Sequence, residues 1–130
     1  MNGDTQKSKT GPKMSKLARG DVVLVNLEPT VGHEQQGTGR PCLVVSSNDI
    51  NEVAPIVIVC PISKSKPGKI RRYGVVTVPI NEGGLNFESD ILTTQIRTID
   101  LTRIQSVIGQ LSHLHMVRVD LSLRTTLDLD

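Results

Sequence analysis

Three short apolar runs, Val22–Leu27, Pro41–Val45 and Val53–Cys60, constrain this chain most. Each is rich in Val, Leu and Ile and bounded by Gly, Pro, Asn or Asp, which is how strands read. Val22–Leu27 is nearly continuous rather than alternating, so both of its faces should be covered. Val53–Cys60 is the most apolar and is expected at the sheet centre, ending where polarity returns at Pro61-Ile-Ser63. A polar, Gly-rich loop, residues 28–40, is pinned between the first two strands. Strand, loop and strand again presents polar side chains at a fixed place.

The remaining segments suggest a mainly β chain closed by a C-terminal helix. Ser46–Glu52 reads as a turn or one helical turn. Arg72–Ile80 and Leu85–Thr93 read as strands around a turn at Asn81–Gly84, and Thr94–Asp100 as a connection. In Arg103–Leu111 the apolar positions 104, 107, 108 and 111 suit a helix, but Val, Ile and Gly109 favour a bulged strand. Ser112 is a good N-cap for a final helix, with Leu114, Val117 and Leu121 as its buried stripe and Leu123 and Leu127 broadening it. Many short strands and one helix predict a small barrel or strongly bent sheet.

Residues 1–17 hold one charged type in excess, lysine, with much Gly, Ser and Thr. They are expected to be a disordered basic tail, leaving 18–130 as one domain. Residues 1–18 carry four lysines and one aspartate, whereas the rest carries eleven basic and twelve acidic groups. Net charge therefore does not announce nucleic-acid binding. A local patch does exist: Lys64, Lys66, Lys69, Arg71 and Arg72 lie together without an acid. Tyr73 and Phe87 are the only rings, which argues against an aromatic platform for stacked bases. Cys42 and Cys60 lie inside apolar runs and are expected as buried, unpaired thiols in a cytoplasmic chain. No apolar run reaches the ~18 residues of a membrane span.

The chemistry available is narrow. His113 and His115 are two apart at a helix start and point to different faces, so with His33 they form no converging metal set. No metal or cofactor site is expected. Gly37-Thr38-Gly39 is not followed by a helix, which fails the context test for a phosphate loop. No Gly-x-Ser-x-Gly nucleophile elbow occurs. What remains is a loop with Thr30, His33, Glu34, Gln35 and Arg40, and a second polar point at Ser63. Pro41 holds Arg40 extended. A planar guanidinium suits a phosphate, and with a hydroxyl it can stabilise the charge that develops when a ribose 2′-hydroxyl attacks its own phosphodiester. A loop arginine paired with Glu28 or Glu34 would account for the same residues.

In combination the residues carry a resemblance. Arg19-Gly-Asp-Val-Val-Leu-Val-Asn-Leu-Glu-Pro-Thr-Val-Gly-His-Glu-Gln35, then Gly39-Arg-Pro-Cys-Leu-Val-Val-Ser46, resembles the opening of the MazF/PemK toxin family. The likeness continues through Ile58-Val-Cys-Pro-Ile-Ser63, Leu92-Thr-Thr-Gln-Ile-Arg-Thr-Ile-Asp100 and Ile108-Gly-Gln-Leu-Ser112 into the terminal helix, covering about residues 18–127.

The resemblance implies an SH3-like barrel with a terminal helix, a homodimer, and a metal-independent endoribonuclease. Its substrate would be single-stranded RNA cut at short preferred sequences, and a cognate antitoxin would block it. Arg40 matches the family's arginine before proline, and Ser63 its hydroxyl after the third strand, where Thr is usual. Glu34 and Gln35 match the loop pair, and His33 stands where a small Ser is common. These three are implied substrate contacts, with Lys64, Lys66 and Lys69 holding RNA backbone. Four residues, Gln36–Gly39, separate Gln35 from Arg40, one more than usual, and the extra residue should bulge outward. The alternative is a CcdB-like toxin that poisons a protein target such as DNA gyrase, or a barrel that serves only as an interaction module. The end of the chain, Leu127-Asp-Leu-Asp130, lacks the aromatic tip that the gyrase reading would want.

Overall fold

A computed structural model describes residues 17–66, 68 and 73–130. The strands are β1 (Asp21–Val25), β2 (Arg40–Val44), β3 (Ile56–Lys64), β4 (Val75–Val78), β5 (Ser89–Leu92), β6 (Arg97–Asp100) and β7 (Ile104–Gln110). A short helix α1 (Asn48–Val53) joins β2 to β3, and α2 (His113–Leu127) ends the fold. All pairings among the described residues are antiparallel, in the order β4-β5-β3-β2-β1-β7, with β6 also on β3.

β3 shapes the sheet. Along one edge it pairs with β2, through Cys42↔Pro61, Leu43↔Cys60 and Val44↔Val59. Along the other it pairs first with β6 over Ile56–Val59, then with β5 over Ile62–Lys64. Pro61, which has no N–H to give to a ladder, stands where β6 hands over to β5. β3 thus continues past the point where polarity returns, and its change of partner folds the sheet into two leaves. Register shifts between β1 and β7 bend it further. The result is a barrel-like antiparallel sheet with a C-terminal helix.

The apolar runs cover both faces. Val22, Leu43, Cys60 and Ile62 enter one core with Val78, Ile91, Leu111 and Val119. Their neighbours Val23, Val25, Cys42, Val44, Val57 and Val59 enter a second, with Leu27, Ile99 and Ile104. Leu17, assigned by sequence to the tail, is buried in the second core; the rest of that expected tail lies outside the described residues. Cys42 and Cys60 are free and buried, and burial pushes both thiols up to about 12.

Several elements differ from the sequence reading. Val53 ends α1 rather than opening β3. Of the strands expected at Arg72–Ile80 and Leu85–Thr93, the described residues hold Val75–Val78 and Ser89–Leu92; Arg72 lies outside the described residues. The expected connection Thr94–Asp100 contains β6, in which only Ile99 is buried; one apolar residue in four leaves no periodicity to read, and pairing with β3 decides the conformation. Arg103–Leu111 holds a bulged strand, as its composition favours.

Helix α2 turns a different face inward than expected. Val119 is fully buried, and Met116 and Leu123 pack on the first core beside it. Leu114, Val117 and Leu121 instead stand 67%, 42% and 57% exposed. Polar anchors set this rotation. The buried Thr93 hydroxyl bonds Ser122 Oγ at 2.8 Å and Thr126 Oγ1 at 3.0 Å. Arg19 Nη2 donates to Asp120 Oδ1 at 2.6 Å. At the helix start the Ser112 N–H donates to Glu82 Oε2 at 2.6 Å, while its hydroxyl meets His115 Nδ1 rather than capping the helix. Burial alone would raise the Glu82 carboxyl, but Ser112 and the His115 ring outweigh it and hold it below its usual value.

Val119→Ala should therefore lower unfolding stability by about 1–3 kcal/mol through the cavity it leaves, and Thr93→Val by about 1–3 kcal/mol through the hydroxyls left unpaired. Urea titration measures both. Unchanged midpoints would mean that α2 seats on another face.

Candidate active site

The loop between β1 and β2 is closed at its base. Leu27 N donates to Gly37 O at 2.8 Å. The Glu28 carboxylate accepts the Gly37 N–H at 2.7 Å and the Thr30 hydroxyl at 3.2 Å. Arg103 Nη1 bonds the Asn26 and Glu28 carbonyls, and Gln105 Nε2 bonds the Thr38 carbonyl. Gly37 is thus tied back to the end of β1, and the excursion lies outward, through exposed residues 31–34 and 36.

Gly37 also makes room for Arg40. Its φ of +130° is a conformation that side chains rarely adopt, and a Cβ there would stand 2.4 Å from Arg40 Cγ and Cδ. The arginine stem passes over the bare glycine. Arg40 opens β2 opposite Val25, extended as Pro41 requires. Its Nη2 reaches the Ile62 carbonyl at 3.4 Å, and its buried Nε has no partner among the described residues. Among those residues Arg40 pairs with neither Glu28 nor Glu34. Glu28 is taken by Gly37 and Thr30, and Glu34 Oε1 accepts the Val31 N–H at 2.8 Å.

Continuing the Cys42↔Pro61 register by two residues sets Arg40 opposite Ser63. Both line one cleft of about 280 Å³, whose far wall is Gly84–Phe87. Lys64 lines it too, and its Nζ lies 4.1 Å from the centre of the Phe87 ring. Lys66 is exposed, and Lys69 lies outside the described residues.

Glu34 and Gln35 belong to a second cleft, of about 540 Å³, with Pro29, Pro61, Thr94, Gln95, Ile96 and Arg97. The Gln35 N–H donates to Gln95 Oε1 at 3.3 Å, and Gln95 Nε2 donates to the His33 carbonyl at 3.2 Å. The exposed His33 side chain lines neither cleft. β3 divides the two: Pro61 lines the second, Ile62–Lys64 the first. Sequence reading missed Thr94, Gln95, Arg97 and Phe87. The first three sit in a segment read as mere connection, where the one apolar residue of β6 among polar ones gives no signal before β3 pairs with it. Among the described residues no three of His, Cys, Asp and Glu are grouped to hold a metal.

The chain belongs to the PemK-like, MazF-like toxins of type II toxin–antitoxin systems, whose family profile matches residues 18–127. It is 39% identical over 98 residues to the endoribonuclease toxin ChpB of Escherichia coli K12, covering 75% of this chain and 82% of that one. To the endoribonuclease MazF of Staphylococcus epidermidis it is 35% identical over 115 residues, 88% and 93% of the two chains. In three dimensions it resembles MazF from Deinococcus radiodurans, with TM-score 0.72 and 26% identity over 87% of this chain and 97% of that one. A mycobacterial endoribonuclease in complex with its cognate antitoxin shares the fold at TM-score 0.69 and 20% identity, over 90% and 98% of the chains.

Gly37→Ala should cost about 1–3 kcal/mol for the strained backbone and displace Arg40 from its stem position. Denaturant titration reads the first; a crystal structure of the variant reads the second. An unmoved arginine at unchanged stability would refute the role given to Gly37.

Proposed function

We infer that the chain is an endoribonuclease toxin that cuts single-stranded RNA at short preferred sequences, without a metal, by attack of a ribose 2′-hydroxyl on the adjacent phosphodiester. The observation that carries this is the shared cleft of Arg40 and Ser63, with a buried guanidinium nitrogen of Arg40 unpartnered among the described residues. The 2′-oxygen forms a bond to phosphorus as the bond to the 5′-oxygen breaks. Negative charge builds on the non-bridging oxygens, where Arg40 places fixed donors. Arginine stays protonated, so it is a charge stabiliser and hydrogen-bond donor rather than the base; water takes the 2′-hydroxyl proton and returns one to the leaving 5′-oxygen. Ser63 hydrogen-bonds a phosphate oxygen or the attacking hydroxyl.

The second cleft suits base edges, because Glu34 and Gln35 stand there with Gln95 and Arg97, offering both donors and acceptors. Lys64 lines the phosphate cleft; Lys64, Lys66 and Lys69 are assigned to hold the RNA backbone, and the exposed His33 contacts RNA from the loop. Family membership supports a homodimer and an antitoxin partner; the exposed stripe Leu114, Val117 and Leu121 offers apolar surface for protein contact. Acting on RNA, the toxin works in the cytoplasm; among the described residues no helix is long and apolar enough to cross a membrane.

Arg40→Ala should lower RNA cleavage by about 10²–10³-fold, the usual loss for one preorganised donor, with folding intact by circular dichroism. Cleavage at the wild-type rate would remove Arg40 from the reaction.

A further inference from the structure

We propose that Phe87 is a stacking platform for a nucleobase flanking the scissile phosphate. This rests on the Arg40–Ser63 cleft being the place of RNA cleavage. Phe87 is the only phenylalanine in the chain, and its ring is 53% exposed at the wall of that cleft. Single exposed apolar side chains are ordinary on protein surfaces. This one differs in where it stands and in how it is held.

Its backbone is fixed on both sides. Gly84 packs so closely on β7 that a Cβ would lie 2.2 Å from the Ile108 carbonyl oxygen. Leu85 is buried, and its N–H donates to Glu82 O at 3.0 Å. Ser89 Oγ donates to the Phe87 carbonyl at 2.7 Å, and Ser65 N donates to Glu88 O at 2.9 Å. A fixed backbone therefore presents a solvent-facing ring beside two groups that suit a phosphate. A ring held in advance loses little freedom when a flat ligand lands on it.

The ligand chemistry follows from the ring and its neighbour. The Lys64 ammonium, 4.1 Å from the centroid, lies over one face of Phe87. The other face takes the base, while the ammonium stays within reach of the backbone phosphate. Every base has a π-face, so such a platform adds affinity and placement but little choice between bases. Sequence preference is left to other contacts.

The chain contains no tryptophan, so Phe87→Trp introduces a single fluorophore at the site. The full chain carrying it is titrated with a single-stranded 2′-O-methyl RNA oligonucleotide, which cannot react, and with the same backbone made abasic. Saturable quenching by the first and loss of quenching with the second are expected. In cleavage assays Phe87→Ala should lose about 10- to 100-fold in kcat/KM with unchanged cut sites, and Phe87→Trp should retain activity. Wild-type cleavage by Phe87→Ala would overturn the platform, as would an unquenched tryptophan when anisotropy of a labelled oligonucleotide shows binding. If Phe87→Ala cleaves normally but loses binding to a protein partner, the ring serves that contact instead. Failure of the cleft reading itself looks different: Arg40→Ala would then cleave as the wild type does.

Discussion

The antiparallel register between β2 and β3 is the constraint on which the site depends. Cys42 opposite Pro61 sets Arg40 opposite Ser63, two residues further along. A slip of one residue would turn every side chain of one strand to the other face. It would also take Arg40 away from Ser63 and send each core the side chains that pack in the other. The two apolar cores, filled by alternate residues of the same strands, make that slip prohibitive. The register that places the guanidinium and the hydroxyl in one cleft is thus enforced by packing far from them.

The loop before β2 must then deliver Arg40 without disturbing that register. Glu28 and Leu27 anchor Gly37, and the bare glycine lets the arginine stem cross it. Residues added further out in the loop leave this anchor untouched. The cost is a buried guanidinium nitrogen with no partner among the described residues, a situation proteins seldom tolerate without a use for the group. The phosphate proposed as ligand has the charge and geometry that would answer it.

Much of the fold was legible because β1, β2, β3 and β7 are short Val- and Ile-rich runs with clear boundaries. β6 was not, since one buried Ile99 among Arg97, Thr98 and Asp100 makes no pattern until β3 pairs with it. The rotation of α2 was misread for a related reason. Its apolar residues lie on two faces, and the choice between them is made by hydroxyl contacts from Thr93 and an ion pair from Arg19, which no helical wheel contains. At the candidate site, Arg40 and Ser63 were singled out from residue type and resemblance, and both line one cleft. Glu34 and Gln35 were read with Arg40 as parts of one polar loop, and they line a second cleft with Gln95 and Arg97. Loop residues have no period, so only the structure assigns them to a face. The scarcity of aromatic residues argues against an extended stacking platform; the stack proposed at Phe87 needs one ring only.

The cleft is proposed to cleave RNA through the substrate's own 2′-hydroxyl, with an arginine and a serine and no metal. The most direct measurement incubates the purified protein with a mixed single-stranded RNA in excess chelator and maps the chemistry of the cut ends. The account predicts full activity, with 2′,3′-cyclic phosphate on one fragment and a 5′-hydroxyl on the other. Chelator-sensitive cutting, 5′-phosphate ends, or intact RNA would contradict it.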